Sequence, residues 1–140
     1  MILEKFVVLV VEDEALIRME ALRMVEDAGF LSAEAANADE AMQILERRKD
    51  IGAVFTDINM CGSMDGLQLS HAIRERWPPI HLIVTSGLAP VGREMPENTH
   101  FLGKPYGAEH IAALLGEMLP ADHVPLGLDR DIRGSRGKLV

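Results

Sequence analysis

Four hydrophobic runs in this chain each lead into polar residues, and that placement constrains the fold more than any other feature. Residues 6–11 are followed by Glu12, Asp13 and Glu14, residues 52–56 by Asp57, residues 80–84 by Thr85, and residues 99–103 by Lys104 and Pro105. The runs are short and almost continuously apolar, as expected of strands buried on both faces of a parallel sheet. In an open parallel α/β sheet the ligand crevice lies outside the carboxyl ends of the strands. Four strand ends would therefore gather carboxylates, a hydroxyl and an ammonium in one crevice. That set suits a hard cation and a phosphoryl group.

Apolar runs alternate with helix-like segments five times, which predicts a doubly wound α/β fold with a five-stranded parallel sheet in the order 2-1-3-4-5. The first helix is expected over residues 15–28, with Leu16, Met19, Leu22, Met24 and Val25 at helical spacing and Gly29 as its stop. A weak, alanine-rich second strand covers residues 31–36. Asn37, with Glu40 three residues on, predicts an N-cap for a second helix ending near Arg48. Asp65 reads as the cap of a third helix with Leu69, Ile73 and Trp77 on one face, ended by Pro78 and Pro79. The last helix is expected over residues 108–119, with Ile111, Leu114, Leu115 and Met118 inward. Between Thr85 and Thr99, Pro90, Gly92 and Pro96 leave room for one helical turn at most, so the fourth helix of such a fold should be short, degenerate or absent.

With 140 residues, 48% of them hydrophobic and 26% charged, the chain is expected to form one globular domain over residues 1–120, with 121–140 a solvated tail rich in glycine and mixed charge. A formal net charge of −8 argues against nucleic-acid binding and against docking on anionic lipid. Residues 6–11 are far too short to span a bilayer and are followed by acids instead of a cleavage site. The one cysteine, Cys61, cannot form an internal disulfide, which is consistent with a reducing compartment and a cytoplasmic location. The histidines at 71, 81, 100, 110 and 123 show no metal-ligand spacing.

Asp57, kept ionised beside a divalent cation, could attack a phosphorus centre. Mg²⁺ needs only one or two carboxylates besides waters and a phosphoryl oxygen, and Asp13 and Asp57 are the best direct ligands. Glu12, expected to point the other way along an extended segment, would reach the ion through water or not at all. Lys104 would offset the phosphoryl charge from the side opposite the ion, and the Thr85 hydroxyl would donate to another phosphoryl oxygen. Ser86 and Gly87 are small enough to leave the phosphorus open to attack.

These residues resemble the receiver domains of two-component response regulators. Glu12-Asp13-Glu14 is similar to that family's acidic pocket, and Thr56-Asp57-Ile58-Asn59-Met60 to the segment carrying its phosphorylated aspartate. Met64-Asp65-Gly66-Leu67 resembles the start of its third helix, Val84-Thr85-Ser86-Gly87 its hydroxyl-bearing strand end, and Phe101 to Tyr106 its lysine loop. The resemblance covers residues 5–119 and implies a flavodoxin-like receiver fold. It implies that Asp57 accepts a phosphoryl group from a histidine kinase or histidine phosphotransfer protein. Asp13, Asp57 and the Asn59 carbonyl would hold Mg²⁺, with Glu12 in the outer sphere, while Lys104 and Thr85 bind the phosphoryl group. Phe101 matches an aromatic position that moves with the Thr85 hydroxyl when such domains switch, and Lys104-Pro105 a bond that is usually cis. Two departures stand out besides the shortened region after Thr85. Cys61 occupies a position where the family usually has proline, and the loop from Met60 to Asp65 is one residue longer.

The reading that follows is a stand-alone receiver acting as a phosphorylation-controlled switch, with a downstream protein target and no enzyme activity of its own, either a monomer or a dimer formed on phosphorylation. The alternative is an aspartate-nucleophile phosphatase for small substrates. Such enzymes typically place an acid two residues after the nucleophile and carry a cap insertion. Here that position is Asn59, and the chain has no room for a cap.

Overall fold

The computed structural model describes residues 6–87 and 94–118. In chain order these form β1 (Val7–Val11), α1 (Ala15–Asp27), β2 (Leu31–Ala35), α2 (Ala38–Arg47), β3 (Ile51–Asp57), α3 (Gly66–Arg76), β4 (His81–Ser86), β5 (Thr99–Gly103) and α4 (Ala108–Met118). The strands make one sheet in the order β2-β1-β3-β4-β5, and every neighbouring pair is parallel. Parallel neighbours need crossovers, so α1 and α4 cover one face of the sheet and α2 and α3 the other. The period-2 geometry of a strand divides its side chains between those two layers. Val7, Leu9 and Val11 of β1 join Leu45, Leu69 and Ile73 on the α2 and α3 side. Val8 and Val10 join Val25, Ile111 and Leu115 on the other. β1 is buried throughout, which is why its sequence is an unbroken apolar run.

The helix starts follow their capping chemistry. The Asn37 side chain accepts from the Glu40 amide at 2.9 Å, and Glu40 reaches back to the Ala36 amide at 2.7 Å. Asp65 and Gln68 form a reciprocal capping box, Asp65 accepting from the Gln68 amide at 2.8 Å and Gln68 from the Asp65 amide at 2.9 Å. α1 starts differently: Glu14 sits at its N-cap position without a side-chain cap bond, and the Glu12 carboxylate instead accepts from the Glu14 amide at 3.1 Å.

The inward stripe of α1 is narrower than its spacing suggested. Ala21 and Val25 are buried, whereas Leu16 is 81% and Met19 61% exposed. With 3.6 residues per turn, the line that meets the sheet runs through 21, 25 and 28, and Leu16 and Met19 fall outside it. Between β4 and β5, residues 94–98 contain no helix; residues 88–93, where the shortened fourth helix was expected, lie outside the described residues, as does the expected tail at 121–140.

Two hydrogen-bond donors on α3 hold the segment before β5. Arg74 donates through Nε to the Glu97 carbonyl at 2.9 Å, through Nη2 to the Asn98 carbonyl at 3.2 Å, and through Nη1 to the carbonyls of Ile80, at 2.7 Å, and Pro78. His71 Nε2 lies 2.7 Å from the Glu94 carbonyl. Backbone acceptors that a helix would satisfy internally are met here by side chains from a neighbouring element.

Candidate functional site

The ends of β1, β3, β4 and β5 bring the expected residues together. Asp57 and Thr85 are direct partners in the β3–β4 register, so they meet side by side at the carboxyl edge. Asp57 is buried, and its two oxygens have different partners. Oδ1 accepts from the Asn59 amide at 3.1 Å, while Oδ2 accepts from Lys104 Nζ at 2.6 Å. Lys104 reaches it from the loop after β5, where its own amide donates to the Ser86 carbonyl at 2.9 Å and the Lys104–Pro105 bond is cis.

The Thr85 hydroxyl is the unresolved polar group of this crevice. It is buried with no hydrogen-bond partner, and leaving a buried hydroxyl unpaired costs roughly 1–3 kcal/mol. A donor held beside Asp57 without an acceptor of its own is placed to serve an oxygen that arrives with a ligand.

Glu12 departs from expectation. It is 5% exposed and turns into the crevice, close to the carboxyls of both Asp57 and Asp13. Burial, and then the charge of Asp57, push its carboxyl up to about 7, against the pull of the Glu14 amide. Asp13, at the surface, is held below the usual carboxylate range, first by the Cys61 amide, which donates to its Oδ2 at 3.1 Å. The extended chain does alternate its side chains, but the turn into α1 begins at once and swings Glu12 inward.

Two residues that the sequence offered only as parts of motifs, with no role assigned, shape the same crevice. Tyr106 lines it together with Glu12, Asp57 and Thr85. Its ring packs edge-on to Phe55 at 5.5 Å, and burial and the nearby carboxylates push its hydroxyl up to about 12. Gly66 lies against the Asp57 backbone: a Cβ there would stand 1.9 Å from the Asp57 carbonyl oxygen, and its amide donates to the Ile58 carbonyl at 2.8 Å. Only glycine allows α3 to start so close to the end of β3. Its position directly after the capping aspartate was the available signal. Phe101 sits half-buried on β5, opposite Val84 in the register and one residue along from the Thr85 pairing.

The donors present fit a hard divalent cation. Among the described residues no three His, Cys, Asp or Glu side chains form a ready-made cage. Mg²⁺ does not require one, because it retains waters and takes one or two carboxylates together with phosphoryl oxygens. Three neighbouring carboxyls, one of them driven towards protonation by burial and by the charge of Asp57, mark a crevice short of positive charge on that side.

The sheet order, the crevice at its carboxyl edge and the acid–hydroxyl–lysine set together define a signal-receiving α/β domain. The response regulator receiver domain model matches residues 8–115, and the chain belongs to that family, whose members act in two-component signalling. The sensor kinase CckA of Brucella abortus is 35% identical over 117 residues, covering 80% of this chain and 12% of the kinase. This chain therefore spans about an eighth of that relative's length. A response regulator receiver protein from Sinorhizobium medicae superposes with a TM-score of 0.75 at 27% identity, covering 84% of this chain and 97% of the other. The response regulator TrrA of Thermotoga maritima, solved in complex with Mg²⁺ and BeF, shares the fold with a TM-score of 0.72 at 20% identity, over 81% of this chain and 98% of that one. No helix of the described residues is long and apolar enough to cross a membrane.

Proposed function

We propose that Asp57 is the phosphoryl acceptor of this receiver domain, taking the group from a phosphohistidine on a histidine kinase or phosphotransfer protein. The observation that carries the reading is the unpartnered Thr85 hydroxyl beside an aspartate whose Oδ2 is already held by Lys104. In the transfer, a carboxylate oxygen of Asp57 forms a bond to phosphorus as the bond to the donor imidazole breaks, leaving an acyl phosphate. Lys104 then moves its hydrogen bond from Asp57 to a phosphoryl oxygen, and Thr85 donates to another. Phosphoryl transfer depends mainly on such positioning and charge.

Asp13, Asp57 and the Asn59 carbonyl would hold Mg²⁺, with Glu12 in the outer sphere. When bound, the ion supplies neutralisation of phosphoryl charge on the side away from Lys104. Glu12 and Asp13 keep that side acidic, and Tyr106 and Phe55 line the crevice beside Glu12 and Asp57. Phosphorylation adds charge and acceptor oxygens at Thr85, and Phe101 on the next strand is the group through which the change would reach a downstream protein.

Incubation with acetyl phosphate and Mg²⁺, followed by intact-mass measurement, tests the reading. Wild type should gain one phosphoryl adduct and Asp57→Asn none. An equal adduct on the variant would put the acceptor elsewhere.

A further inference from the structure

The opposite end of the sheet carries a cavity of about 460 Å³ that phosphoryl transfer at Asp57 does not use. Arg74, His81, Asn98, Thr99 and His100 are among the residues lining it, where the chain enters β4 and β5. Three of these are basic, in a chain whose net charge is −8.

The Arg74 guanidinium has five N–H donors, and backbone carbonyls take four of them, leaving one on Nη2. Carbonyls satisfy hydrogen bonds and leave the charge standing. Among the described residues no carboxylate lies within ion-pair distance of Arg74, and Glu97 is the acid whose field reaches it. His81 is close enough to feel both Arg74 and His100, and burial together with those two neighbours holds its imidazole below the ordinary value. At this cavity there is thus a guanidinium charge with no acid paired to it and one guanidinium hydrogen without an acceptor, next to two imidazoles.

We propose that this cavity binds a small oxyanion, a carboxylate or phosphate group, between Arg74 and His81 with His100 beside it. An anion there takes the remaining Nη2 hydrogen, offsets a guanidinium with no acid paired to it, and favours the charged form of His81. The acidic site at the other end of the sheet repels the same ligand, which confines binding to this end.

Histidine ring resonances followed by NMR test the proposal, with inorganic phosphate or acetate titrated into the Mg²⁺-free protein. The expected result is saturating shifts at His81 and His100, with His71 and His110 unmoved. Saturation by phosphate alone would assign a dianion, and saturation by both a carboxylate-sized site. Arg74 also holds the chain before β5, so its replacement can disturb folding, and His81→Gln and His100→Gln are the informative variants. Each should weaken binding about tenfold, the loss of one charge-assisted hydrogen bond. Non-saturating shifts shared by all the histidines, or undiminished affinity in both variants, would overturn the site.

Discussion

Two connections leave the sheet beside the acidic crevice, and they are held in opposite ways. The one from β3 to α3 is secured by its own residues: the Asp65–Gln68 capping box closes the helix start, Gly66 rests on the Asp57 carbonyl, and the Cys61 amide ties the loop to Asp13. The one from β4 to β5 is held before β5 from outside, by Arg74 and His71 of α3 on the carbonyls of Glu94, Glu97 and Asn98. In both, backbone polar groups find partners. A capped helix meets the demand locally, whereas residues 94–98, which contain no helix, borrow donors from a neighbouring element. The first arrangement fixes the acceptor aspartate; the second leaves the approach to Phe101 and Lys104 dependent on two side chains.

The largest expected effect breaks the first connection. Gly66→Ala places a methyl group against backbone that cannot yield, and should cost about 3 kcal/mol or more in denaturant unfolding. A loss below about 1 kcal/mol would show that α3 can shift away from β3.

Next comes the second connection. Arg74→Ala removes four hydrogen bonds to carbonyls and should cost about 2 kcal/mol, since several of those carbonyls can turn to water. Amide exchange should accelerate at residues 94–98 and leave 58–65 unchanged. Equal acceleration in both segments would erase the contrast between them.

The pH dependence sharpens the comparison from the acidic side. Glu12 is raised to about 7 in the folded protein, so between its ordinary value near 4.5 and 7 the folded state binds more protons than the unfolded. Stability from this group is fully present below the unfolded value and is lost as pH rises through 7, by the order of 2 kcal/mol. Melting temperature of the Mg²⁺-free protein should fall over that window, and Glu12→Gln should flatten the fall. A fall of the same slope in the variant would assign it to other groups.

The smallest effect belongs to the cap. Asp65→Ala should cost about 1 kcal/mol, with phosphorylation of Asp57 by acetyl phosphate slowed only slightly. Loss of the phosphoryl adduct would mean that the cap, and not Gly66, positions Asp57.

Much of this was legible in the chain. Parallel strands buried on both faces write themselves as unbroken apolar runs, and side-chain caps depend on neighbours three residues away. Strand order, the caps at Asn37 and Asp65, and the meeting of Asp57, Thr85 and Lys104 at strand ends could all be read in that way. The exposed Leu16 and Met19 could not, because helical spacing names a stripe without saying which part of it the sheet will cover.

The sequence by itself determined the topology and the chemical set at the crevice, since both rest on local periodicity and on the rule that ligands gather at the carboxyl ends of parallel strands. Tertiary structure alone decided that Glu12 turns inward against Asp57, that Tyr106 walls the crevice, that Gly66 is jammed against β3, and that Arg74 supplies the hydrogen bonds to the backbone carbonyls before β5. Each of these is a contact between residues far apart in the chain or a turn whose direction depends on what it packs against. Spacing along a sequence carries no record of such distances.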